Sequence, residues 1–344
     1  MPSKLTKFSS GGGCGCKVSP SVLSRLIGSS PAMQFFPNLL VGSDKADDAA
    51  VYRINKNQAL VATTDFFTPI VDNPFDFGRI AAANALSDIY AMGGNPIMAL
   101  SVLGFPVGEV VETDISQVLE GASNVCGNIA IPIAGGHSIN SKEMFYGLVA
   151  LGLVNPDNLK MNSHGRHNDR LILTKPLGVG VISAGLQKGV VSSSTYQQFL
   201  DLTTQLNTVG CELAKLDVVN AMTDVTGFGL LGHLLEMCQG SKLSAELNLD
   251  SIPIIAVAEE LTKTGVKTGA STRNWESYKE LVQLTSTPTW IRDILCDPQT
   301  SGGLLISCHE TGVGKVMDLL HMRGFPFVAN IGRLQMGPPN IRIN

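Results

Sequence analysis

Two thiols and a lysine stand close together near the start of the chain, in Ser9-Ser10-Gly11-Gly12-Gly13-Cys14-Gly15-Cys16-Lys17. A thiolate is both a nucleophile and a soft ligand, and a neighbouring ammonium favours it over the thiol. Lys17 is therefore placed to activate Cys14 and to contact an anion. The string approaches a P-loop, but G-x-x-x-x-G-K-[ST] needs glycine where Cys16 stands and Ser or Thr where Val18 stands, and no apolar strand precedes it. What is left is a nucleophile on a glycine arm, set against the plainer reading of a disordered tail with incidental thiols.

Carboxylates form a second set: Asp47 and Asp48 ahead of an apolar run, Asp65 at the end of one, and Asp88 inside an Ala-rich helix. Asp88 is the most informative, because Ala85, Leu86, Ile89 and Tyr90 surround it and an ionised carboxylate among them needs a cation or strong donors. Asn84 lies one turn earlier on the same helix face. Oxygen ligands without His or Cys suit Mg²⁺, which bridges carboxylates to nucleotide phosphates. Each Asp taken singly is more often a cap or turn former.

Thr223-Asp224-Val225-Thr226-Gly227-Phe228-Gly229-Leu230-Leu231-Gly232 contains G-x-G-x-x-G, a dinucleotide fingerprint. Asp224 would repel a pyrophosphate there unless a metal intervened, and Asn220 reads as a break in the strand the fingerprint requires. Asp224 is assigned instead as a further metal ligand at a helix N-terminus. Ala134-Gly135-Gly136-His137-Ser138 follows an apolar strand and reads as a loop able to receive a phosphate or an adenine edge. His164 and His167 lack a third ligand and read as solvated. Cys296-Asp297-Pro298-Gln299-Thr300-Ser301-Gly302-Gly303 is either a structural corner or the wall of a polar pocket.

Several elements must position these groups. Val22, Leu23, Leu26 and Ile27 fit a short helix; 49–52 and 59–64 read as strands around a polar turn at 55–57; 77–92 reads as a buried helix stopped by Gly93-Gly94 and Pro96. A strand over 97–103, a helix over 115–126 and strands over 129–134 and 147–154 complete one mixed α/β unit. A second opens with a strand at 171–174 and continues through a helical stretch around 196–216. Three segments follow from this: a flexible Gly-rich catalytic arm over 1–19, a domain over 20–155, and a second α/β domain over 156–344.

The 344 residues are 44% hydrophobic and only 16% charged, with 36 glycines, as suits an oligomeric α/β enzyme with much buried surface. Net charge is −4 without a basic stripe, which disfavours nucleic acid as a partner. No apolar stretch is long enough to span a bilayer and the opening residues lack the apolar core of a signal peptide, so a cytoplasmic protein without a membrane partner is expected. Seven cysteines without C-x-x-C spacing point to reduced thiols.

GGGCGCK, Asp47-Asp48 in DKADDAAVY, TTDFFTPIVDNPFDFGRIAAANALSDIYAMGGNP, AGGHSI, AMTDVTGFGLLGHLLEMCQG and LCDPQTSGGLL, in this order, resemble the selenophosphate synthetases, or selenide, water dikinases, of the aminoimidazole ribonucleotide synthetase superfamily. The likeness runs from about residue 8 to about residue 308. It implies a two-domain α/β fold of α+β type, N-terminal sheets pairing into a barrel across a homodimer, and ATP bound in clefts at that interface. The implied reaction turns ATP, hydrogen selenide and water into selenophosphate, AMP and orthophosphate, activating selenium for selenocysteine and selenouridine synthesis. By position Cys14 matches the catalytic thiol and Lys17 the essential lysine near the phosphates. Asp48, Asp88 and Asp224 match the metal-binding carboxylates, with Mg²⁺ as cofactor. Lys45, Ala46, Asp47, Asp65 and Asp88 match nucleotide contacts, and Gly136, His137 and Ser138 match a loop reaching ATP from the partner subunit. A selenium-delivery protein is a further partner the resemblance allows.

One departure is that Ser10 stands where many relatives carry a histidine, so no role is assigned there. Cys16 is given either a structural, a redox or a catalytic part. Two rival readings are another ATP-using member of the superfamily that forms ADP and needs no thiol, and a redox or selenium-carrier protein that consumes no nucleotide. The acidic set argues against the carrier.

Overall fold

The computed structural model describes residues 4–9, 11–18, 22, 26, 36–42, 47–284 and 287–344. Lys45, Ala46 and Ser10 lie outside the described residues, as does most of the short helix expected around Val22 to Ile27, of which Val22 and Leu26 are helical.

The first domain is a sheet of six strands, β1 (Leu39–Val41), β2 (Ala50–Arg53), β3 (Ala59–Phe67), β4 (Asn95–Phe105), β5 (Ile133–Asn140) and β6 (Phe145–Val154), ordered β1-β2-β3-β6-β4-β5. Two helices, α1 (Pro74–Ala91) and α2 (Glu112–Asn128), complete it. Period-two alternation along β6 turns Tyr146, Leu148, Ala150 and Val154 into the core and leaves Val149, Leu151 and Leu153 half-buried. In register beside them on β3, Thr64, Ala62 and Leu60 share that outer face, and Phe66 on it is 46% exposed.

Helix α1 starts where the side chain of Asn73 accepts the N–H of Asp76 at 3.0 Å and Pro74 fixes the first turn. It is apolar almost all round because both sides are covered. One side packs on β3 and β6, and the other meets the second domain.

The second domain carries β7 (Arg170–Leu173), β8 (Val219–Asp224), β9 (Ser244–Leu247), β10 (Val282–Leu284), β11 (Leu304–Cys308), β12 (Ala329–Gln335) and β13 (Ile341–Ile343), ordered β10-β13-β9-β12-β7-β11-β8. Its principal helices are α3 (Val179–Gln187), α4 (Ser193–Thr204), α5 (Gly229–Ser241) and α6 (Gly269–Tyr278). No helix among the described residues is long and apolar enough to cross a membrane.

Three local expectations are corrected. Asn220 does not break a strand: it sits inside β8, and its amide donates to both carboxylate oxygens of Asp169 at 2.9 Å, a long-range bond that satisfies a buried polar side chain. Gly136, His137 and Ser138 form no loop either. They belong to β5, pairing in parallel with β4 at the edge of the sheet, and all three are exposed. The strand expected over 129–134 starts only at Ile133, because a turn with Ala130 at φ +57° closes α2 after Asn128.

A candidate active site at the domain junction

Thr63 and Asp65 lie two apart on the face of β3 that meets α1, and Asn84 and Asp88 lie four apart on the facing side of α1. Two residues of strand advance about 6.6 Å and four of helix about 6 Å, so the pairs meet rung by rung. The hydroxyl of Thr63 donates to Asp88, and the amide of Asn84 donates to Asp65. The other atom of that amide, Asn84 Oδ1, accepts the backbone N–H of Ser301 at 2.7 Å and the thiol of Cys14 at 3.4 Å.

The glycine arm closes over this ladder. Gly13 N–H bonds Thr68 O at 3.0 Å, and Cys14 N–H bonds Thr300 Oγ1 at 3.0 Å. Arg273 Nη2 holds Gly15 O at 2.8 Å. Gly13 takes φ +58°, and a Cβ there would come within 2.5 Å of Thr300 Oγ1, so glycine is required for this docking. Cys14 is left 1% exposed. Lys17 Nζ reaches Asp65 Oδ2 at 3.4 Å.

From the second domain β8 delivers Asp224 as its last residue, and Thr223 donates to Asp48 Oδ1 at 2.7 Å. One oxygen each from Asp48, Asp88 and Asp224 lies within 4.8 Å of the others. Asp48 Oδ2 and Asp224 Oδ2 are buried without a hydrogen-bond partner. Burial first, and then mutual repulsion, push the Asp48 and Asp88 carboxyls well above the usual range; burial also raises Asp224, against the hydroxyl of Ser87. Close, half-satisfied, all-oxygen and too acidic for its surroundings, this trio fits a hard divalent cation.

Electrostatics around the thiol depart from the simplest expectation. Burial pushes the Cys14 thiol up, and Lys17 opposes this without overcoming it, so the docked arm holds a protonated thiol. Burial would weaken the Lys17 ammonium, but Asp65 above all, with Asp88 and Asp224 behind it, holds it charged.

The fold thus brings together Cys14, Lys17, Asp48, Asp65, Asp88 and Asp224 from both domains. Asp47 stands beside them, its Oδ1 accepting the N–H of Asp48 at 3.3 Å and of Asn162 at 3.2 Å. No hydrogen bond or acidic cluster of the site among the described residues includes Gly136, His137 or Ser138. The residues that motif reading missed are Thr63, Thr223, Thr300 and Ser301. Of these, Thr223 opened the Asp224 motif and the last two lay in the polar Gly-rich corner, which meets Cys14 and Asn84.

This architecture and site define the class: residues 46–154 match the family described as AIR synthase related protein, N-terminal domain, and residues 166–342 match its C-terminal domain. A thiamine-monophosphate kinase from Stenotrophomonas maltophilia shares the fold with TM-score 0.66 at 21% identity, covering 94% of each chain. The hydrogenase maturation protein HypE, solved in complex with ATP, does so with TM-score 0.62 at 17% identity, covering 97% of this chain and 90% of that one. Within the class the likeness is much closer to a selenide, water dikinase of Pseudomonas straminea, 54% identical over 340 residues that span 98% of this chain and 95% of that one. The chain belongs to the selenide, water dikinase family.

Proposed function

We propose that the domain junction converts ATP, hydrogen selenide and water into selenophosphate, AMP and orthophosphate, with Cys14 and Lys17 acting at the phosphates. Asp48, Asp88 and Asp224 would hold Mg²⁺. The observation that carries this reading is the meeting of that acidic trio, with two oxygens left unsatisfied, and the arm that carries a thiol and an ammonium. When bound, Mg²⁺ supplies charge neutralisation between the carboxylates and the phosphate oxygens and polarises the group in transfer.

The chain's own residues do the rest. Lys17 stays protonated beside Asp65 and offers a positive charge to the phosphates. Asn84 holds the Cys14 thiol through its proton, so the soft sulfur stays neutral and can lie beside hydroselenide without repelling it as selenium attacks the γ-phosphoryl group. The docked arm covers the ladder and keeps water out until selenium is in place; the β-phosphoryl group then passes to water. Asp47, Asp65 and Asp88, with Lys45 and Ala46, contact the nucleotide.

A homodimer fits the outer face of the first sheet, where Leu60, Ala62, Phe66, Val149 and Leu151 form an apolar surface. In that dimer the exposed edge strand β5 would lend Gly136, His137 and Ser138 to the partner's ATP. We place the protein in the cytoplasm, with a selenium-delivery protein as a further partner. Anaerobic incubation with Mg²⁺-ATP, with and without selenide, tests the reading by phosphorus NMR and nucleotide chromatography. Selenide-dependent AMP, orthophosphate and selenophosphate are expected, and full turnover by Cys14→Ser would remove the thiol from the mechanism.

A further inference from the structure

The carboxylates lie on the inner side of the glycine arm, and the side facing away from them has the opposite character. A cavity of about 520 Å³ opens there between the arm, the end of α3 and the start of α6. Its lining includes Cys16, Lys188, Lys267, Arg273 and Thr300, and no Asp or Glu is among the described residues that line it. Lys267 is offset by Asp293 at 3.0 Å. Lys188 and Arg273 are exposed and make no ion pair among the described residues. Thr268 caps α6 by accepting the N–H of Ser271, but buried Asp297 accepts from Thr268 and Ser271 at 3.5 Å behind that end, so the positive character of the chamber comes from Lys188 and Arg273.

The cavity reaches the catalytic thiol's own backbone. Thr300, part of its floor, accepts the N–H of Cys14, and Arg273 on its rim grips Gly15 O. Cys16, exposed, presents a second soft sulfur to the same space, whereas Cys14 points to Asn84 on the inner side. The arm is therefore a partition with a basic, thiol-bearing chamber on one side and the acidic phosphate site on the other.

Hydrogen selenide is a monoanion at neutral pH. On the carboxylate side it meets Asp65 and the ATP phosphates, whose charge Mg²⁺ and Lys17 offset only in part, while the basic chamber attracts it. We propose that this chamber is the docking site through which hydroselenide reaches the arm, held by Lys188 and Arg273 beside Cys16 before Cys14 receives it. This rests on the dikinase reading above and names the route of its second substrate. Docking is a binding step, so no bond is made or broken in the chamber.

The test uses the full chain with Lys188→Glu, Lys188→Arg and Lys267→Gln, none of them in the catalytic machinery. Wild-type protein is first shown to form AMP only with selenide; absence of that product sinks the dikinase reading, and the selenide assignment with it. Given turnover, Lys188→Glu should raise KM for selenide at least fivefold at low salt and leave KM for ATP unchanged. Lys188→Arg should restore it, and Lys267→Gln should change it less than twofold. A second readout needs no turnover: alkylation of Cys16 by iodoacetate, an anion, against neutral iodoacetamide, followed by peptide mass. Wild type should favour the anion several-fold over a free cysteine, and salt or Lys188→Glu should erase the preference. Unchanged KM for selenide in Lys188→Glu, or an alkylation ratio in wild type equal to that of free cysteine, would overturn the docking site even with the dikinase reaction intact.

Discussion

Asn84 and Cys14 are 70 residues apart in the chain, yet the thiol donates to the amide oxygen at 3.4 Å, and that oxygen also accepts Ser301 N–H. One buried side chain therefore sets the thiol, the Asp65 carboxylate beside Lys17 and the Gly-rich corner of the second domain. Asn84→Ala leaves a buried N–H and a buried thiol without an acceptor, at a cost of about 1–3 kcal/mol for each unsatisfied group. Unfolding in denaturant should show the loss, and selenide-dependent turnover should fall by about 10²-fold as the reacting groups lose their alignment.

Removing one charge from the acidic trio separates fold from metal. Asp88→Asn relieves repulsion from Asp224 and Asp65, so in chelator the variant should melt at or above the wild-type temperature. Wild type should gain stability with Mg²⁺ and a non-hydrolysable ATP analogue, and the variant should not. Tight Mg²⁺-dependent nucleotide binding by Asp88→Asn would rule out its role as a ligand.

Asp297 predicts a pH dependence away from the metal site. It is fully buried, accepts the N–H of Val181 at 3.1 Å and the amide of Gln299 at 3.1 Å, and burial raises its carboxyl to about 7. The unfolded value is about 4, so between these limits the folded state binds more protons. Its contribution is therefore fully present at low pH and is lost as pH rises towards 7, with a slope of at most about 1.4 kcal/mol per pH unit. Asp297→Asn should flatten that part of the curve, measured as unfolding free energy against pH.

Docking of the arm rests on one backbone conformation. Gly13→Ala places a methyl group 2.5 Å from Thr300 Oγ1 and 2.7 Å from Ile70 Cδ1 at a positive φ, so the arm must lift. The body should keep its melting temperature within a few degrees. Cys14, buried in the parent, should become reactive to an aromatic disulfide, and turnover should fall. A Cys14 as unreactive as in wild type would show that the arm tolerates the methyl group.

Local physical chemistry was enough to mark most of this protein. Alternation of apolar residues placed β3 and β6, and the Ala-rich apolar run stopped by Gly93-Gly94 placed α1, since the burial of each is written into the segment by itself. Asp88 betrayed itself because a carboxylate within an apolar helix needs a partner, and the thiol, lysine and glycines of the arm announced chemistry by composition. Tertiary structure alone decided which groups meet. The pairing of Thr63 with Asp88 and of Asp65 with Asn84 depends on how β3 and α1 pack, and the approach of Thr223 to Asp48 joins residues 175 apart. Asn220 reads as a strand breaker until Asp169, just ahead of β7, supplies an acceptor. His137 reads as a loop residue until β4 offers β5 an edge. Propensity acts within a few residues, whereas a hydrogen-bond partner or a field of charge comes from whatever the topology sets alongside. For the same reason the protonated state of Cys14 follows from its burial under the arm, which no neighbour in the chain reveals.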